Sequence, residues 1–160
     1  MTSQSIPIFE EYQIMHHAYL DIYGALRSLP VWFNNMQYDF YEKGLGEKDI
    51  GTGHEVVSEW VAEREVTDYY KYKMDVTFFA RDVRKVVFDD GGEGYWARLI
   101  ITINTTIVVD YNNKFKEGPW NKLLQQIYER YLIKEKTDEY IRKLAGESSD
   151  LINTLKSYLK

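Results

Sequence analysis

The sequence predicts an α+β domain: an N-terminal helical hairpin, a curved antiparallel sheet of long strands, and a long C-terminal helix packed on that sheet. Three observations carry this. Residues 95–111 alternate over a long run, with Tyr95, Ala97, Leu99, Ile101, Ile103, Thr105, Ile107, Val109 and Tyr111 almost all apolar and the even positions mixed. That period of two marks a strand with one buried and one partly wet face. Two apolar stripes at spacings of three and four precede the strands, and another follows them. The 160 residues, 44% hydrophobic, suffice for one core, so residues 1–160 are read as a single domain with 146–160 as a possible separate terminal helix.

Taken in order, residues 1–6 read as disordered and Pro7 as a first helical residue. Tyr12, Met15, Tyr19, Ile22 and Leu26 then define a helix from Pro7 to Arg27. Ser28 and Pro30 make a junction into a second helix burying Trp32, Phe33, Met36 and Phe40, stopped at Gly44. Residues 44–53 hold four glycines without periodicity and read as a loop.

His54 to Val66 reads as the first strand, with Val56, Trp60, Ala62 and Val66 inward and Glu55, Glu59, Glu63 and Glu65 outward. Thr67-Asp68 turns the chain into a strand that buries Tyr70, Tyr72, Met74, Val76, Phe78 and Ala80. Its alternation slips at Arg81–Val83, the mark of a bulge. Asp89-Asp90-Gly91-Gly92-Glu93-Gly94 is a hairpin signal leading into the 95–111 strand, which at about 55 Å is long enough to need a bend near Asn104. Gly118-Pro119 opens the C-terminal helical stretch, and Gly146 with Ser148-Ser149-Asp150 predicts a break before a short final helix.

The bulk charge excludes partners more readily than it names one. A net charge of -5 argues against nucleic acid or an anionic membrane as the main partner. Residues 113–160 carry ten basic and seven acidic side chains, which leaves 1–112 at -8, a contrast that would steer self-association. With no cysteine there is no thiolate chemistry or disulfide. No signal-peptide pattern and no run of about 18 apolar residues is found, so a soluble, cytoplasmic protein without a membrane span is expected.

Catalytic and metal-ligating patterns are thin. On a helix, Glu10, His17 and Asp21 would fall one and two turns apart, yet no second set of ligands is identifiable, and none of the three histidines (His16, His17, His54) is placed with a nucleophile and an orienting group. The expectation is therefore no catalytic residue, no metal and no cofactor. Aromatics make up 16% of the chain, with fourteen tyrosines, and either fill the core or line a cavity for a small amphipathic ligand.

The order of elements over residues 7–145, carried by Gly118-Pro119-Trp120 after the strand residues Leu99 to Val109, resembles the START-like, helix-grip superfamily. A cystatin-like helix-on-sheet domain is the nearest alternative. The resemblance implies a long helix closing a curved sheet around an apolar cavity, with Trp60, Tyr70, Tyr72, Leu99, Ile101, Trp120, Leu124 and Tyr128 near a ligand. The expected function is non-catalytic binding of a small apolar or amphipathic ligand. The alternative is a module that forms a homo-oligomer through its C-terminal helices, using Leu151, Leu155 and Tyr158.

Overall fold

The computed structural model describes residues 4–49, 51, 53–109, 123 and 134–159. Five strands form one antiparallel sheet: β1 (Gln4–Leu20), β2 (Asp39–Asp49), β3 (His54–Glu65), β4 (Tyr70–Val87) and β5 (Glu93–Val109), in the order β1-β5-β4-β3-β2. Helix α1 (Ile22–Asn35) joins β1 to β2 at the opposite edges of the sheet, and α2 (Lys134–Lys156) lies on the same face. The α+β class, the antiparallel sheet and the C-terminal helix against it are as expected. No described helix is long and apolar enough to cross a membrane.

The period-two reading holds along β4 and β5. Tyr70, Tyr72, Met74, Val76, Phe78 and Ala80 face the helices beside Ala97, Leu99, Ile101, Ile103, Thr105, Ile107 and Val109, all of them buried. Leu20, Ile22, Ala25, Leu29 and Phe33 close the core from β1 and α1, and Leu144, Leu151, Ile152 and Leu155 close it from α2. The slip at Arg81 is a register shift between Arg81 and Arg84, with Asp82 in the left-handed region at φ 54°. The irregularity expected near Asn104 falls on the partner strand. β1 shifts register between Pro7 and Tyr12, where Asn104 Oδ1 accepts the Glu11 amide at 2.7 Å and Thr105 Oγ1 accepts that of Phe9 at 3.2 Å.

The N-terminal helical hairpin is replaced by a strand and one helix. Residues 4–20 pair with β5 over their whole length, leaving Tyr12, Met15 and Tyr19 exposed and burying Ile14 and Leu20. Backbone pairing to a long neighbour with one apolar face outweighs a helical stripe whose first three members, Tyr12, Met15 and Tyr19, are aromatic or flexible side chains. The helix starts at Asp21 instead, whose carboxylate accepts the Gly24 amide at 3.0 Å. A Cβ on Gly24 would lie 2.1 Å from that carboxylate, so the cap requires glycine there. Pro30 sits inside α1 rather than between two helices, and burial of Leu29, Trp32 and Phe33 offsets the lost backbone bond. The chain leaves α1 through Gln37 at φ 64°, well before Gly44.

Residues 44–49, expected as loop, belong to β2. The Gly146 break is absent, because α2 runs through it and the Ser148 hydroxyl, instead of capping a new helix, donates to the Leu144 carbonyl at 2.7 Å. The expected helix start at Gly118-Pro119 lies outside the described residues.

Candidate binding groove

Among the described residues, polar features mark both ends of the apolar space between sheet and helices. The first is a cluster at one end of the sheet, where Arg64 on β3 and Glu147 on α2 form an ion pair at 2.8 Å with side chains 16% and 8% exposed. Tyr38 donates its hydroxyl to Glu147 Oε1 at 3.1 Å, and Arg64 donates to the Met36 carbonyl at 2.6 Å. The guanidinium also lies over the rings of Tyr38 and Tyr72, at 4.7 and 5.2 Å from their centroids. Burial beside Glu147 drives the pKa of both tyrosines far above the ordinary phenol value. Both Glu147 oxygens and the Tyr38 and Tyr72 hydroxyls are matched within the fold, and no fully buried side-chain polar atom among the described residues lacks a partner, so the cluster fastens α2 to the sheet.

The second feature is a groove at the other end, where α1 begins and no longer covers the sheet. It has a volume of about 420 Å³ and is lined by Tyr23, Glu47, Gly53, His54, Val83, Arg84, Lys85 and Tyr95. Tyr95 is the first inward residue of β5 and packs its ring edge-on against Tyr23, with centroids 5.1 Å apart. The Tyr23 hydroxyl donates to Glu47 Oε1 at 2.9 Å, and burial together with that carboxylate pushes its pKa up to about 12. Arg84 extends over Trp96 at 4.7 Å, and Lys85 pairs with Glu93 at 3.0 Å. Among the described residues neither the His54 ring nor the Tyr95 hydroxyl has a hydrogen-bond partner. The groove therefore combines apolar walls from Tyr23, Val83 and Tyr95 with two open polar positions and a basic rim.

A larger crevice of about 530 Å³ runs between α1 and the end of α2, lined in part by Asp21, Arg27, Trp32, Thr154 and Tyr158. Three of its polar groups serve the fold, since Asp21 caps α1, the Trp32 indole donates to Asp150 at 2.8 Å, and Thr154 donates to the Asp150 carbonyl at 2.9 Å, while Arg27 and Asn35 lie exposed at its rim. It is a seam between helices more than a receptive site.

Neither space is lined by the residues expected near a ligand. Trp60 packs on Phe33 and Phe40 and donates to Ser58 Oγ at 2.7 Å. Tyr70 shares a short hydrogen bond with Thr137, and Tyr72 donates to the Tyr140 carbonyl at 2.9 Å. Leu99 and Ile101 are fully buried in the middle of β5. Trp120, Leu124 and Tyr128 lie outside the described residues. The strand geometry also separates the histidine pair, since His16 and His17 point to opposite faces and Asp21 is committed to its cap. Leu151 and Leu155, expected to meet a partner, are buried in the chain's own core.

Sequence reasoning missed Tyr23, Glu47 and Tyr95 as groove residues. Tyr95 was the most findable, because it heads the inward row of β5 at the point where that row leaves the core. Compared with known protein families, with curated proteins and with solved structures, the chain has no match.

Proposed function

We propose that the protein is a non-catalytic binding protein whose ligand, a small amphipathic molecule with an acidic head, enters the groove between the start of α1 and the open end of the sheet. The observation that carries this is the pairing of aromatic walls, Tyr23 and Tyr95, with polar groups that the fold leaves unused, His54 and the Tyr95 hydroxyl. Apolar walls with a few convergent polar groups are what small-molecule sites have in common. Arg84, which has no ion pair among the described residues, favours an acid over an amine, while Lys85 is held by Glu93 and Glu47 by Tyr23. Tyr23, whose pKa is pushed up to about 12 by burial and by Glu47, keeps its proton at neutral pH and serves as a fixed wall of the groove.

The START-like reading draws support from topology. One strand precedes the first helix and returns beside the last strand, and a long C-terminal helix lies across the face thus formed. In that reading the groove is the mouth of a sheet-and-helix cavity.

Titration with anilinonaphthalene sulfonate, an acidic amphipath, tests the site. One dye per chain is expected, with affinity lowered about tenfold or more by Tyr95→Ala and by His54→Ala, and unchanged by Val31→Ala in the other crevice. Equal loss at both places, or saturation at many dyes per chain, would remove the proposal. Native mass spectrometry of the purified protein would show whether it retains a ligand of its own.

A further inference from the structure

Strand β2 is an edge strand that pairs with β3 alone, and every residue from Tyr41 to Asp49 is exposed. Open edges invite indiscriminate pairing, and chains blunt them with prolines, bulges and lysines. The other edge, β1, is blunted by Pro7 and by the bulge that follows it. β2 carries no proline; its edge is written in charges instead.

Around Leu45 the sequence Glu42-Lys43-Gly44-Leu45-Gly46-Glu47-Lys48 reverses sign on its own reflection. Laid antiparallel against a second copy about a two-fold axis through Leu45, Lys43 comes opposite the second copy's Glu47, Gly44 opposite its Gly46, and Leu45 opposite its Leu45. Glu42, just before the bulge, lies with Ser58 on the helix-side face, whereas Lys48 stands opposite Glu55 on the other face, so these two do not meet across the seam. Symmetry doubles the Lys43–Glu47 and Gly44–Gly46 contacts, while the Leu45 pair lies on the axis and occurs once. The Leu45 pair and the two Lys43–Glu47 pairs set the register: the same-face registers two residues away place Lys43 against Leu45 or Leu45 against Glu47 instead, and a slip of one residue turns the second copy's inner face outward.

The surroundings suit such a pairing. Among the described residues neither Lys43 nor Lys48 has an ion pair, so both charges are available. Each glutamate is steadied through one oxygen, Glu42 by the Ser58 hydroxyl at 2.7 Å and Glu47 by Tyr23, and among the described residues the other oxygen has no hydrogen-bond partner. Nothing lies within 4 Å of where a Cβ on Gly44 or Gly46 would stand, so two backbones can approach there. Leu45, 63% exposed, would cover its counterpart at the axis.

We infer that two copies of this chain pair antiparallel through β2, centred on Leu45, to form one continuous ten-stranded sheet. The same lysines and glutamates that discourage other strands favour this partner, which is specificity by complementary charge.

Sedimentation velocity over a concentration series tests it. The protein is expected to dimerise reversibly and more weakly at high salt. Leu45→Lys, which sets like charges at the axis, should give a monomer that keeps its circular dichroism. Lys43→Glu should weaken the dimer about tenfold or more, and adding Glu47→Lys should restore it, because the reversed pairs are again complementary. A wild-type protein that stays monomeric at about 100 μM, a dimer that survives Leu45→Lys, or a folded double variant that fails to recover would each overturn the pairing. Dye binding by the monomeric Leu45→Lys variant keeps this outcome separate from that of the groove.

Discussion

At the scale of single residues, the tyrosines respond to pH in a direction that the structure fixes. Tyr38 and Tyr72 are buried, with Glu147 nearby, and both are held protonated beyond the ordinary phenol range; Tyr23 titrates at about 12. In the unfolded chain all three ionise near 10. A group whose pKa is raised on folding contributes stability that is complete below the unfolded value and is lost as pH climbs past it toward the folded one. Stability should therefore be indifferent to these groups up to about pH 9 and fall above 10. Tyr38 and Tyr72 each add a slope of up to about 1.4 kcal/mol per pH unit, and Tyr23, at a solvated rim, adds less. Urea midpoints at about pH 9 and about pH 11 measure the fall, and tyrosinate absorbance of the native protein counts the phenols that resist ionisation. If all fourteen tyrosines ionise together at the ordinary value, the buried cluster is wrongly drawn. None of this was legible in the sequence, where Tyr38 and Arg64 are 26 positions apart and Glu147 is 83 beyond Arg64. Their meeting depends on α2 lying across the end of β3.

At the scale of elements, what could be read was whatever the core enforces on both sides of a pattern. β3, β4 and β5 are central strands with one face buried throughout, so period two survives in their sequences and even the Arg81 bulge shows. The edge strands lack that pressure. β2 is solvated on both faces and reads as a loop, and β1 buries little beyond Ile14 and Leu20 in its second half, so accidental spacings of three and four win. Gly146 misled in the opposite sense. Its position is helical, exposed and has open space where a Cβ would stand, so glycine there only adds freedom to the unfolded chain. Gly146→Ala should raise the unfolding free energy by about 0.5–1 kcal/mol, read as a higher urea midpoint at constant slope. A lower midpoint would mean that the helix does break at that residue.

At the scale of the whole molecule, the end of α2 decides whether the chain behaves as one cooperative unit or as a domain with a detachable tail. Removing everything after Ala145 takes away Leu151, Ile152 and Leu155, each buried against the core, at about 1.5–3 kcal/mol apiece. It also removes Glu147 and leaves the Arg64 guanidinium without its carboxylate in a half-closed interior, which for buried pairs costs about 3–5 kcal/mol. The Tyr158 carbonyl that accepts the Asp21 amide at 3.0 Å, tying the start of α1 to the end of α2, goes as well. Together these losses are about 8 kcal/mol or more, within the whole margin of about 5–15 kcal/mol by which a domain of this size is stable. The truncated chain should therefore lose its cooperative thermal transition and its near-ultraviolet circular dichroism. A helix that existed to meet a partner would come away without that cost, leaving a folded monomer. That result would return Leu151 and Leu155 to a surface and move self-association from β2 to the C-terminal helix.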